Sequence, residues 1–156
     1  MHRLYSSYDQ YVDAVTAMKS LLDGDVSASE RVREHQIGPA VDAVERGYSR
    51  VKLVGPDDVS AAAQRLRDVV RDHADAVIEW RRRFLQMDLE RPEQETSEQR
   101  RLRHQRQRTS RDRMRVARER AEELAPATGV TLNAFGEAAR DALLRGPRPG
   151  IASVDN

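Results

Sequence analysis

Apolar residues along this chain return at alternating steps of four and three, the rhythm of helices that each bury one narrow face. The first series is Leu4, Tyr8, Tyr11, Val15, Met18 and Leu22, which predicts a helix over about residues 3–22 ended by Gly24. Ser27-Ala28-Ser29-Glu30 then reads as a capping box opening a second helix. In that helix Ile37, Val41, Val44, Tyr48 and Val51 keep the same steps, and Gly55-Pro56 closes it. Gly38-Pro39 interrupts the series, and a proline inside a helix lacks an amide and clashes with the preceding turn, so a kink or break is predicted there. Val59, Ala63, Leu66, Val70, His73, Val77, Trp80, Phe84 and Met87 make the longest seam. Capped by Asp57 or Asp58, it predicts a helix over residues 57–89, about 50 Å long at 1.5 Å per residue.

Beyond it the pattern weakens. Residues 90–99 are polar and low in complexity, either a linker or the exposed start of a fourth helix with Pro92 in its first turn. That helix continues through Leu124 with only Met114, Ala117, Ala121 and Leu124 as a seam. Pro126 and Gly129 predict a break, after which Thr131 caps a short last helix carrying Leu132, Phe135, Ala139 and Leu143, stopped by Gly146-Pro147. The fold class is therefore all-α: an antiparallel bundle of three long helices, up-down-up, plus an Arg-rich fourth helix and a short C-terminal one. Residues 1–90 form the three-helix core. Residues 91–146 hold the polar linker, basic helix and terminal helix packing back on it, and residues 147–156 are expected to be a disordered tail.

Composition changes this picture little. Leu, Ile, Val and Phe make up about a fifth of the 156 residues, which implies a thin core of shared seams. A net charge of +1 leaves too little self-repulsion for wholesale disorder. Without cysteine there is no disulfide framework, thiol nucleophile or thiolate metal site. Asp9 and Asp13 interrupt any secretory apolar stretch, and no run approaches the roughly 18 apolar residues of a membrane span. The chain as given is expected to be cytoplasmic.

Candidate chemistry is sparse. None of His2, His35, His73 and His104 has a glutamate three residues before it, as di-iron bundles require, and no His-Glu-x-x-His, phosphate-binding glycine loop or Gly-x-Ser-x-Gly occurs. No catalytic, metal or cofactor residue is assigned, and no cofactor is expected. His73, on the third seam near Asp72 and Asp75, reads either as a tunable acid–base group or as a core histidine bonded to a neighbouring helix; the second reading is preferred. Trp80, Phe84 and Met87 are likewise expected in the core rather than around an apolar ligand, and Tyr5 is expected to be exposed.

The segment 100–120 is harder to set aside. It holds ten arginines against Asp112 and Glu119, a local charge of +8, while the rest of the chain carries −7. Arg100, Arg101, Arg108, Arg111, Arg115 and Arg118 gather on one side of a helix and are the candidate contacts for an anion or nucleic acid. Arg103, Arg106, Arg113 and Arg120 fall on the face where Leu102, Val116, Ala117 and Leu124 should pack, and the acidic surfaces of the other helices offer internal partners. A solvated or internally paired helix is the first reading, a nucleic-acid contact the second, and a protein or membrane-surface contact the third.

Two resemblances bear on this. The stretch Arg50-Val51-Lys52-Leu53-Val54-Gly55-Pro56-Asp57-Asp58-Val59, followed by Ala61-Ala62-Ala63, and the later Ala134-Phe135-Gly136-Glu137-Ala138-Ala139-Arg140 resemble small helical-bundle proteins of high-GC bacteria, over about three quarters of the chain. That likeness implies a helical bundle, some of whose members carry an upstream membrane anchor, and brings no activity or site residues. Gly129-Val130-Thr131-Leu132-Asn133-Ala134-Phe135 is similar to the opening of the second helix in ribbon-helix-helix DNA-binding proteins. That family requires residues 111–116 to form a groove-reading strand, and here they are charged and helix-favouring. The sequence thus points to a non-catalytic interaction or structural module that pairs with a second copy through helical seams. A nucleic-acid binder working through residues 100–120 is the rival, and an enzyme comes third.

Overall fold

The structure, a computed structural model, describes residues 2–23, 30–89 and 96–146. Four helices account for them: α1 (His2–Leu22), α2 (Glu30–Val54), α3 (Asp57–Leu89) and α4 (Ser97–Arg145). Neighbours in sequence pack side by side, α1 also meets both α3 and α4, and among the described residues α2 and α4 make no close backbone approach. The helices therefore stand around a rhombus whose short diagonal joins α1 and α3 and whose long one separates α2 from α4, running up, down, up and down. Gly47 of α2 lies against Tyr11 of α1, while Arg145, at the end of α4, pairs with Asp58 at the start of α3.

The four-three seams are the core. Tyr8, Tyr11, Val15, Met18 and Leu22 of α1, Ile37, Val44, Tyr48 and Val51 of α2, and Val59 through Val77 of the α3 series are all buried. Phe135 of α4 is fully buried and holds two tyrosines edge-on, with ring centroids 6.0 Å from Tyr8 and 5.1 Å from Tyr11. The Tyr11 hydroxyl donates to the Ala63 carbonyl at 2.8 Å and is satisfied within the bundle. Burial pushes its pKa up, and the phenol stays protonated.

Three expectations change. The predicted fourth and fifth helices are one helix, continuous through Pro126 and Gly129, so the bundle has four helices and no separate short C-terminal one. Pro126 removes one amide and costs about 3 kcal/mol in a helix interior. Burial of Ala121, Thr128, Phe135 and Ala139 along the same helix outweighs that cost. The Thr128 hydroxyl also donates to the Leu124 carbonyl at 3.0 Å, and that of Thr131 to Ala127 at 2.8 Å.

Likewise α2 runs unbroken past Gly38-Pro39, so of the kink or break expected there the break is absent. Third, the α3 seam does not stay buried to its end: Trp80 is half-buried and Phe84 is 43% exposed. The reason is length. Arg81, buried at 1% exposure, donates from Nη2 to the Leu21 carbonyl in the last turn of α1. One turn further along α3, α1 has ended and Phe84 has no apolar neighbour from it. The expected cap at Ser27, the proline at residue 92, the Met87 side chain and the tail 147–156 lie outside the described residues.

A candidate interaction surface on the arginine-rich helix

The first half of α4 is built from local signals. Thr96 caps it in a full capping box: its hydroxyl accepts from the Gln99 amide at 3.3 Å, and the Gln99 side chain accepts from the Thr96 amide at 3.0 Å. Arginine, glutamine and glutamate are good helix formers, and pairs such as Arg118–Glu122 at 2.8 Å add support along the helix. Little of this half is buried. Ala117 and Ala121 pack on α3, Met114 and Leu124 are half-buried, and Leu102 and Val116, expected to pack, are 49% and 58% exposed. The small alanines let α4 lie close to α3 and leave the larger flanking residues outside the seam.

All six candidate arginines are exposed. Arg115 stands 4.0 Å from both Asp112 and Glu119, and Arg118, besides its pair with Glu122, holds its guanidinium 5.8 Å from the centre of the Trp80 ring. Arg100, Arg101, Arg108 and Arg111 form no ion pair within the described residues. The six therefore share a surface, part of it engaged with carboxylates of the same helix and part of it open to solvent.

Arg113 and Arg120 occupy a different place. They line a shallow groove of about 610 Å³ between α3 and α4, opposite Asp72, Asp75 and Glu79, with Ala76 and Val116 among its apolar residues. Arg120 reaches Asp72 at 3.8 Å, and Arg83 binds Glu79 along α3. The α3 wall is net acidic, with Arg83 among its three carboxylates, and the α4 wall is net basic, with Asp112 beside its two arginines. Exposed Phe84 and Leu102 lie toward the same end of this helix pair, where a second depression runs along Arg83, Leu102, Arg106 and Arg113.

His73 is a core residue at 2% exposure, its Nδ1 3.4 Å from the Thr128 hydroxyl, and burial depresses its pKa. Among the described residues no group of three or more His, Asp or Glu is placed to hold a metal ion, and no helix is long and apolar enough to cross a membrane. Residues 111–116, which the ribbon-helix-helix likeness requires as a strand, are part of α4.

Sequence reasoning missed the groove, because it expected Val116 and Leu102 inside. It also missed buried Arg81, although Val70, Ala74, Val77 and Arg81 keep the four-three steps; the aromatic alternatives at 80 and 84 masked that series. No family model matches the chain, and neither does any curated protein or solved structure.

Proposed function

We propose that this protein is a non-catalytic helical interaction module that pairs with a second copy of itself along the α3–α4 groove. The observation that carries the reading is the groove's division into a net acidic α3 wall and a net basic α4 wall, beside exposed Leu102 and Val116. A two-fold partner lies antiparallel across such a groove. It sets its basic wall on the acidic one and buries the apolar residues of both copies, which is the self-complementarity a symmetric dimer needs. Sedimentation velocity over a wide concentration range tests it. A dimer in the wild type and a monomer in Leu102→Asp/Val116→Asp is the expected result. A wild type that stays monomeric at high concentration removes the reading.

Nucleic-acid binding is the second reading, favoured by the exposure of Arg100, Arg101, Arg108, Arg111, Arg115 and Arg118. Its signature is steep salt dependence, since each phosphate contact releases counterions. Fluorescence anisotropy of a labelled duplex at roughly 50 and 200 mM salt tests it: binding that falls by orders of magnitude over that range is the expected result, and no binding at the lower salt removes this reading.

A further inference from the structure

At the opposite end of the bundle from the arginine-rich segment, the start of α1, the α2–α3 corner and the end of α4 enclose a cleft of about 640 Å³. Leu4, Val54, Pro56, Ala142 and Leu143 give it apolar walls. Tyr8 lies in its lining, only 4% exposed, and its hydroxyl has no hydrogen-bond partner among the described residues. The hydroxyl reaches the Gly55 corner of the cleft: a Cβ on Gly55 would come within 3.4 Å of it and within 2.8 Å of the Val51 carbonyl. A buried phenol left without a partner costs on the order of 1–3 kcal/mol, and a native fold rarely carries that cost for nothing.

We propose that this cleft is a binding site for a small, uncharged, mainly apolar molecule bearing one hydrogen-bond acceptor, which takes the Tyr8 hydroxyl proton. Charge selects for neutrality. Asp58, at the rim, is already bonded to Arg145, and Asp57 beside it repels anions. A cation would meet the Arg145 guanidinium as well as Asp57 in the same lining, so neither sign of charge is favoured. A phenol is a better donor than acceptor, so a carbonyl or ether oxygen on the ligand matches it. The volume lies within the range of ordinary small-molecule sites, which combine apolar walls with one or two placed polar groups.

Acetophenone, a ring with one carbonyl, and toluene, the same ring without an acceptor, are the probes. Each is titrated into the full chain labelled with ¹⁵N while the amide resonances are followed. The expected result is that acetophenone shifts the amides of Gly55 and Gly146 at millimolar concentration and binds several-fold more tightly than toluene. Tyr8→Phe should weaken acetophenone roughly five- to tenfold, the loss of one hydrogen bond, and leave toluene unchanged. Val54→Trp, a change at an exposed rim position, should fill the cleft and abolish both. Shifts absent up to the solubility of acetophenone, or spread over the bundle and insensitive to Val54→Trp, would overturn the site. Equal acetophenone affinity in Tyr8→Phe would overturn the role of the hydroxyl.

Discussion

His73 shows what one buried polar side chain does to this bundle. Desolvation holds its pKa below the ordinary 6.5; Asp23 pulls it up and Lys19 pushes it down, and those two, both on the α1 side, are bonded to each other at 2.6 Å. From α4 it meets the Thr128 hydroxyl. A depressed folded pKa means the unfolded chain binds the proton more readily. Stability is therefore full above about pH 6.5 and is lost as pH falls through the lower folded value. Urea unfolding at pH 7.5 and pH 5 should show that loss in the wild type and a smaller one in His73→Leu; equal losses would mean the ring is protonated as easily inside as outside. Two glycines give a second residue-scale test. An alanine Cβ at Gly47 would lie 2.9 Å from Tyr11 Cδ2 and 3.2 Å from its Cα, so α1 and α2 must separate. Overpacking of that kind costs about 1–3 kcal/mol, against about 1 kcal/mol gained in helix propensity. Gly47→Ala should thus lower unfolding stability, whereas Gly129→Ala, with nothing within 4 Å of the new methyl, should raise it by about 1 kcal/mol.

The elements divide by what holds them. The α1 seam is buried from Tyr8 to Leu22, and the second half of α4 is held by Phe135, Ala139 and Thr128. The first half of α4 relies on propensity, its capping box and two alanines. Thr96→Ala removes the box and should cost about 1 kcal/mol locally, seen as roughly fivefold faster amide exchange in the first turns after residue 97. Exchange around Phe135 should not change. Uniform acceleration along α4 would mean that the helix opens as one unit. Most of this was legible in the sequence: α1 and α3 begin and end within a residue or two of their predicted limits, because a long seam agrees with Gly24 after α1 and with the Asp57 or Asp58 cap of α3. The cap at Thr96 was also legible as Thr-x-x-Gln, but the polar composition around it read as linker. The chain does not break at Pro126, nor at Pro39, where a kink or a break was expected, since local propensity cannot weigh the tertiary burial on either side.

For the whole molecule, charge and length work together. Both ends of the chain's charge dipole are used: α3 carries Asp72, Asp75 and Glu79 beside the basic α4, and at the far end Arg145 of α4 pairs with Asp58 at the start of α3. That pair holds the Asp58 carboxyl below its usual range and the Arg145 guanidinium above. Because α3 and α4 are about 50 and 75 Å long, against about 30 Å for α1, the bundle thins to fewer helices at the arginine-rich end. This is the end where apolar Phe84 and Leu102 remain uncovered. A self-associating module should gain stability by mass action, so its melting temperature should rise with protein concentration and stop doing so in Leu102→Asp/Val116→Asp. A melting temperature independent of concentration would count against pairing through this surface.

The sequence by itself determined the helical class, the three seams that make the core, the burial of His73 and the exposure of the six arginines. Each follows from periodicity and polarity within about one turn of the residue concerned. Only the tertiary structure decided that Pro126 lies within a helix, that Phe84 and Val116 are outside and Arg81 inside, and that Tyr8 faces a cleft. Those outcomes depend on where a neighbouring helix stops and how closely two helices approach, and no local pattern encodes either.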